Sequence, residues 1–274
     1  MKLPDHFSFN QQNLQDYLDC PRRFYLRHIL RQDWPAIESE PVKEQEALIL
    51  LGEQFHRMVQ QLFAGIPQEI IESSTTDPDL LNWWRQFIHL DIQSRPGSKF
   101  SEILLSIPFE GTRLIAKYDL IVYQEIQQAV IYDWKTSRHL PKEKWLALRM
   151  QTRIYPFLLA TLSAQPGTAF HLSLEQIQMV YWYPAFPDKP FAFPYSQSQF
   201  SEDERFLSST IHEIVRIDES GFTKTDNEKL CKYCRYRSLC DRGISAGERP
   251  EAEALENDTD SAFDIDFDQI SAAE

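Results

Sequence analysis

The chain has 274 residues, of which 42% are hydrophobic and 25% are charged, the composition of a soluble globular domain with a substantial core. No apolar run approaches the roughly 20 residues of a membrane-spanning helix, and the N-terminus MKLPDHFSFN lacks a signal-peptide pattern. These features argue against an integral membrane protein, and we expect the protein to be cytoplasmic.

The net charge of −13 is unevenly distributed, because the stretch from Glu248 to Glu274 holds ten acidic residues and one arginine. This stretch is also poor in aromatic residues, so we expect residues 246–274 to form a disordered acidic tail that could bind a protein partner. Residues 1–245 then form one predicted domain. Its nearly balanced charge leaves room for basic patches that contact nucleic acid.

The N-terminal third of the chain is predicted to be helical. A short helix follows a cap at Ser8 or Asn10, and Cys20-Pro21 separates it from a basic helix over Arg22–Leu30. Apolar residues at helical spacing predict a long helix over 44–64, which carries His56, and another helix over 70–91.

Three strands are predicted next, over 102–109, 114–123 and 129–135, and their short connections favour an antiparallel meander. A helix over 142–162, strands over 175–183 and 191–195, and a helix over 202–219 follow. This order predicts an α/β fold in which helices flank a central mixed sheet.

The middle and last strands of the meander each carry a carboxylate, Asp119 and Asp133, and a divalent cation could bind between them. Magnesium takes oxygen ligands, and the backbone carbonyl of Trp134 could add another. Lys135 shares a side of its strand with Asp133 and could act on the attacking water or offset charge on a phosphate. The imidazole of His56 shifts the preference toward manganese.

The four cysteines are Cys20 and a group of three, Cys231, Cys234 and Cys240. In a reducing cytosol a metal centre is a better interpretation than disulfides. The spacing alone allows either zinc or an iron–sulfur cluster.

Several ordered motifs together resemble the RecB-like branch of the PD-(D/E)XK nuclease superfamily. They are SFNQQNLQDYLDCPRRFYLRH, GEQFH, AKYDLIV, IYDWKTSR and QTRIY, and with the C-terminal cysteines they span residues 8–240. The resemblance implies a restriction-endonuclease-like core and a nuclease that depends on Mg²⁺ or Mn²⁺. The chain departs from the family pattern at Ala116, where a glycine is common, and at Asp133, where glutamate is common.

The resemblance also implies roles for individual residues. His56, Asp119, Asp133 and the Trp134 carbonyl would bind the metal, Lys135 would be the catalytic lysine, and Gln151 and Tyr155 would line the active site. The four cysteines would bind a [4Fe-4S] cluster that joins the N- and C-terminal segments, as in the AddB-type and CRISPR-associated nucleases. We assign contacts with DNA to Arg22, Arg23, Arg138 and Arg149.

The resulting hypothesis is a metal-dependent DNA nuclease, an exonuclease acting on single strands or ends in repair or recombination. Two alternatives stay open: a nuclease of CRISPR spacer acquisition, and a catalytically silent DNA-binding scaffold that serves a partner protein. Digestion polarity, strand preference and oligomeric state do not follow from the sequence.

Overall fold

The computed structural model describes residues 3–4, 6–32, 40–124, 128–231 and 234–243, with the side chains of residues 40–46 left out. The predicted acidic tail, residues 246–274, lies outside these ranges. Eight helices are described: α1 (Gln11–Asp19), α2 (Pro21–Phe24, continued by a π-helical turn over Tyr25–Ile29), α3 (Glu40–Phe63), α4 (Gln68–Ser73), α5 (Pro78–His89), α6 (Glu143–Leu146), α7 (Met150–Ser163) and α8 (Gln197–Arg216). Among the described residues, none of the helices combines the length and apolar character that a membrane crossing requires.

The described strands form one mixed sheet, which confirms the predicted architecture. They are β1 (Ser8–Phe9), β2 (Ser98–Phe109), β3 (Thr112–Gln124), β4 (Gln128–Trp134), β5 (Ile177–Trp182) and β6 (Phe191–Pro194). β2, β3 and β4 are antiparallel neighbours, as the predicted meander requires. β4 and β5 are parallel, and α6 and α7 lie in the connection between them, since a parallel pair needs a crossover.

A two-residue turn fixes the register of β2 against β3. Glu110 and Gly111 have φ angles of 48° and 72°, the left-handed pair that a tight hairpin with twisted strands requires. Phe109 therefore pairs with Thr112, and every later pair of the hairpin follows from that one. Glu102 is thereby set directly opposite Asp119.

The sheet separates two hydrophobic cores. One core packs β-strand residues such as Ile121 and Ile131 against α1, α2, α7 and α8, and the other packs Leu120, Val122 and Val130 against α3, α4 and α5. Side chains alternate between the cores along β4, as strand geometry requires. Along β3 the alternation changes phase at Asp119, because Tyr118 and Ile121 belong to the same core.

Two predicted helices are divided, and the one over 142–162 consists of α6 and α7. Residues 70–91 contain the end of α4 and all of α5, because Asp77 caps Leu80 through its side chain and Pro78 starts a new helix. Proline at a first helical position lacks only an N–H that would have no helical partner anyway.

Candidate active site

The candidate site lies where β3 and β4 separate. Their pairing stops at Leu120 and Tyr132, so the next opposed positions are Asp119 and Asp133. At this opening the backbone N–H of Trp134 donates to Oδ2 of Asp119 over 2.9 Å. The two carboxylates expected on neighbouring strands thus lie on the two sides of one opening in the sheet.

Helix α3 brings His56 to the same opening. Its Nδ1 lies 3.5 Å from Oδ1 of Asp119, and its Nε2 lies 3.1 Å from the Trp134 carbonyl oxygen. The His56 and Asp119 side chains are only 11% and 15% exposed. His56 therefore contacts two of the other three groups predicted to bind metal, the Asp119 carboxylate and the Trp134 carbonyl.

The charges of His56 and Asp119 stabilise each other. Burial alone would lower the pKa of His56, but the carboxylates of Asp119, Glu102 and Asp133 together outweigh it and raise that pKa above its usual value. Burial likewise works to raise the pKa of Asp119, yet His56 and the Trp134 N–H hold that pKa below its usual value. The site therefore keeps a carboxylate ionised in a largely buried position, which is what a cation ligand needs.

Asp133 is held from two directions. The Lys135 ammonium lies 3.1 Å from Asp133 Oδ2, and both side chains are nearly buried. Gln151, in the first turn of α7, donates from Nε2 to Asp133 Oδ1. Three residues predicted for catalysis are thus brought together.

The side-chain oxygen of Gln151 is an unused hydrogen-bond acceptor in the described part of the site. Oε1 of Gln151 is buried and has no hydrogen-bond partner among the described residues. A buried acceptor without a partner costs about 1–3 kcal/mol. A ligand with a hydroxyl group or bound water would satisfy it, so the donor set fits a hydrated divalent cation.

Glu102 is a site residue that sequence reasoning missed. One ligand atom each from His56, Glu102 and Asp119 lie within 4.8 Å of one another, a group that Asp133 does not join in the described part of the chain. Glu102 also pairs with Lys117, two residues before Asp119. The turn at Glu110–Gly111 could have identified it, because a two-residue hairpin centred there sets residue 102 against residue 119.

Tyr155 lies between α7 and β3. It is buried, its hydroxyl donates to the Lys117 carbonyl over 2.7 Å, and its own carbonyl accepts from the Tyr118 hydroxyl over 2.9 Å. These contacts hold α7 against the strand that carries Asp119. A role of Tyr155 in lining the active site stays a prediction.

The arginines assigned to DNA differ in their surroundings. The Arg23 guanidinium lies 2.7 Å from Asp16 and 2.6 Å from Asp19, is only 15% exposed, and fastens α2 to α1, so its contact with DNA stays a prediction. Arg138 makes a half-exposed ion pair with Asp79, and Arg22 lies over the ring of Tyr25. Arg149 precedes α7 at the edge of the candidate site.

The four cysteines line one small pocket, although they come from opposite ends of the domain. Four cations line it with them: Arg23, Lys224, Arg237 and Arg242. Burial raises the pKa of the Cys234 thiol to about 11, and the pKa values of Cys231 and Cys240 are also raised. The sulfurs of bound thiolates carry negative charge, which these cations would offset.

Four cysteine thiols around one pocket are a donor set that fits a metal centre, either a zinc ion or an iron–sulfur cluster.

Comparisons with known proteins agree with this architecture. A protein from Eubacterium rectale named “Putative exonuclease” has a similar fold, with a TM-score of 0.50 at 12% identity over 93% of each chain. The protein named SSO0001 aligns with a TM-score of 0.41 at 15% identity, over 89% of this chain and 90% of its own. A search of curated proteins found no match.

The family model for the PD-(D/E)XK nuclease superfamily matches residues 8–241. The match begins at β1, includes the opening between β3 and β4, and ends just after the last cysteine. Since it covers most of the sequence, the chain belongs to the PD-(D/E)XK nuclease superfamily.

Proposed function

We propose that this protein is a divalent-metal-dependent deoxyribonuclease that hydrolyses phosphodiester bonds at DNA ends or in single strands. The observation that carries the proposal is the grouping of His56, Asp119, Asp133 and Lys135 at one opening of the sheet. Membership of a nuclease superfamily supports it, and the exonuclease mode and a role in repair or recombination go beyond that membership.

The proposed metal ligands are His56, Asp119, Asp133 and the Trp134 carbonyl. A bound Mg²⁺ or Mn²⁺ supplies Lewis acidity to a phosphate oxygen and lowers the pKa of bound water. Gln151 fixes the carboxylate of Asp133 through its amide N–H. Lys135 places a positive charge beside that carboxylate, where it can offset the negative charge that develops on the attacked phosphate.

Removal of the lysine charge tests the proposal. With Mn²⁺ or Mg²⁺, the wild-type protein should release nucleotides from end-labelled single-stranded DNA, and excess EDTA should abolish that release. Lys135→Ala should lower the rate by about 100-fold or more, the typical effect of removing one group that stabilises transition-state charge.

The matched control is Lys189→Ala, since Lys189 is exposed in the connection between β5 and β6. It should leave the rate unchanged. Full activity of Lys135→Ala would contradict the proposal. Tight binding of DNA ends without cleavage in either metal would favour the alternative of a silent scaffold.

We also propose that Cys20, Cys231, Cys234 and Cys240 bind a [4Fe-4S] cluster. The pocket shared by the four cysteines and the cations that line it support a metal centre there, and the resemblance to nucleases with one N-terminal and three C-terminal cysteines favours the cluster over zinc. Such a cluster belongs in a reducing compartment, so we place the protein in the cytoplasm. The acidic segment after residue 245 is the proposed contact with a protein partner.

A further inference from the structure

Glu102 has a backbone conformation that is unusual for a residue inside a β-strand. It lies inside β2 with a φ of 53°, in the left-handed region that residues with a β-carbon rarely adopt. The pairs on either side, Ser101 with Leu120 and Ile103 with Tyr118, keep an undisturbed register. The distortion of β2 is therefore confined to Glu102, which lies opposite the position where the alternation of β3 changes phase.

The surroundings of Glu102 are also unfavourable for a carboxylate. Its side chain is 13% exposed, and one of its carboxylate oxygens lies within 4.8 Å of ligand atoms of both His56 and Asp119, so two negative charges are close together. Backbone strain of this kind persists where the surrounding structure enforces it, and it is concentrated at functional sites. A cation bound beside His56 and Asp119 would turn this unfavourable placement into a favourable one.

Lys117 provides the contact that Glu102 makes in this structure. The Lys117 ammonium pairs with Oε2 of Glu102, and its side chain is 31% exposed. A partly exposed ion pair contributes little to stability, so it does not explain a strained and buried glutamate. It does give the carboxylate a cationic partner that a more strongly charged ion could replace.

We propose that Glu102 is a further ligand of the divalent cation bound by His56 and Asp119, and that Lys117 pairs with this carboxylate until the cation replaces it. This inference rests on the proposed function, since it assumes a divalent cation at the site. It adds a third carboxylate to the ligand set, and it identifies a lysine that competes with the cation for that carboxylate. Lys117 therefore opposes cation binding, whereas Lys135 acts on the phosphate.

The two residues should have opposite effects on metal affinity. DNA-free protein is titrated with Mn²⁺, and calorimetry and the EPR signal of unbound Mn²⁺ each measure the affinity directly. Glu102→Gln should weaken binding by about 10- to 100-fold, the range found when groups that support metal ligands are removed. Lys117→Met should strengthen binding severalfold, because it removes the competitor and keeps the carboxylate.

Two exposed residues supply matched controls, Glu204→Gln on α8 and Lys189→Met between β5 and β6, and neither should change the affinity. Unchanged Mn²⁺ binding by Glu102→Gln would overturn the inference, and so would unchanged or weaker binding by Lys117→Met. The second variant keeps the test decisive if Glu102→Gln fails to fold. A wild-type protein that binds no Mn²⁺ would instead overturn the metal dependence of the proposed function.

Discussion

Gln151 shows how much of the site depends on one side chain. Its Nε2 restrains Asp133, while its buried Oε1 has no partner within the described structure. Gln151→Met removes both the useful donor and the unsatisfied acceptor, so their effects on the free energy of unfolding oppose each other. We expect little change in urea-induced unfolding, but a fall of about 10- to 100-fold in kcat/KM on single-stranded DNA.

Gln165→Met is the matched control for this experiment, because Gln165 is exposed just after α7. Its kcat/KM should equal that of the wild type. Gln151→Glu should be worse than Gln151→Met in both measurements, since it sets a second carboxylate against Asp133. Wild-type activity in Gln151→Met would show that Asp133 needs no restraint from α7.

Single residues were predictable where chemistry and strand periodicity coincide. Lys135, just after β4, lies beside Asp133 as strand periodicity predicts, and Asp119 requires a buried partner, so the sequence alone indicates a site there. The contact of Tyr155 with the Lys117 carbonyl was not predictable, because helical periodicity gives the face of a side chain and not its hydrogen-bond acceptor. Glu102 was missed because its position depends on a strained backbone and on the register of a partner strand.

Among the elements, α3 determines where His56 lies, and Gly52 determines how closely α3 approaches the strand end. A β-carbon on Gly52 would lie 2.6 Å from Oγ1 of Thr136, just after Lys135. Alanine normally stabilises a helix interior by about 1 kcal/mol relative to glycine. Here the steric overlap between the new β-carbon and Oγ1 of Thr136 should outweigh that gain, because the threonine side chain is stiff about its first torsion. Gly52→Ala should destabilise the protein by about 1–3 kcal/mol in urea unfolding and lower its nuclease activity.

A second substitution tests the cause. In Gly52→Ala/Thr136→Ala the offending oxygen is absent, and the nearest remaining atom of residue 136 is its β-carbon at 3.7 Å, an ordinary contact. The double variant should therefore recover stability and activity relative to Gly52→Ala, with Thr136→Ala alone as the reference. Equal defects in the single and double variants would mean that Gly52 matters for another reason.

The elements themselves were predicted better than their ends. The meander followed from three apolar runs with short connections, whereas β2 begins four residues earlier than its predicted start at Glu102. The division between α4 and α5 depends on the cap formed by Asp77, which competes with continuous helical periodicity over 70–91. Local capping decides such boundaries, and a periodic pattern does not reveal it.

At the scale of the whole molecule, the two ends of the domain meet away from the candidate active site. Leu26, Tyr236 and Cys240 form a separate small core, and the Tyr236 hydroxyl donates to the Gln32 carbonyl over 3.0 Å. Arg22 donates its backbone N–H to Thr223 over 3.0 Å. The ring of Phe222 also packs on the N-terminal helices, against Tyr17, Phe24 and Tyr25. A metal centre bound by Cys20 and the C-terminal cysteines would add a further connection.

The proposed cluster makes a prediction about colour, composition and stability together. Protein purified without oxygen should be brown, absorb broadly near about 400 nm, and contain iron and acid-labile sulfide in equal amounts. Cys20→Ala should lose the colour and make residues 223–243 more sensitive to proteolysis, because the cluster would no longer join the two chain ends.

Ser238→Ala, in the same loop, is the matched control and should keep both the colour and the resistance to proteolysis. A colourless protein that contains one equivalent of zinc would contradict the assignment, while loss of colour without new proteolysis would show that the small core of Leu26, Tyr236 and Cys240 suffices to join the ends.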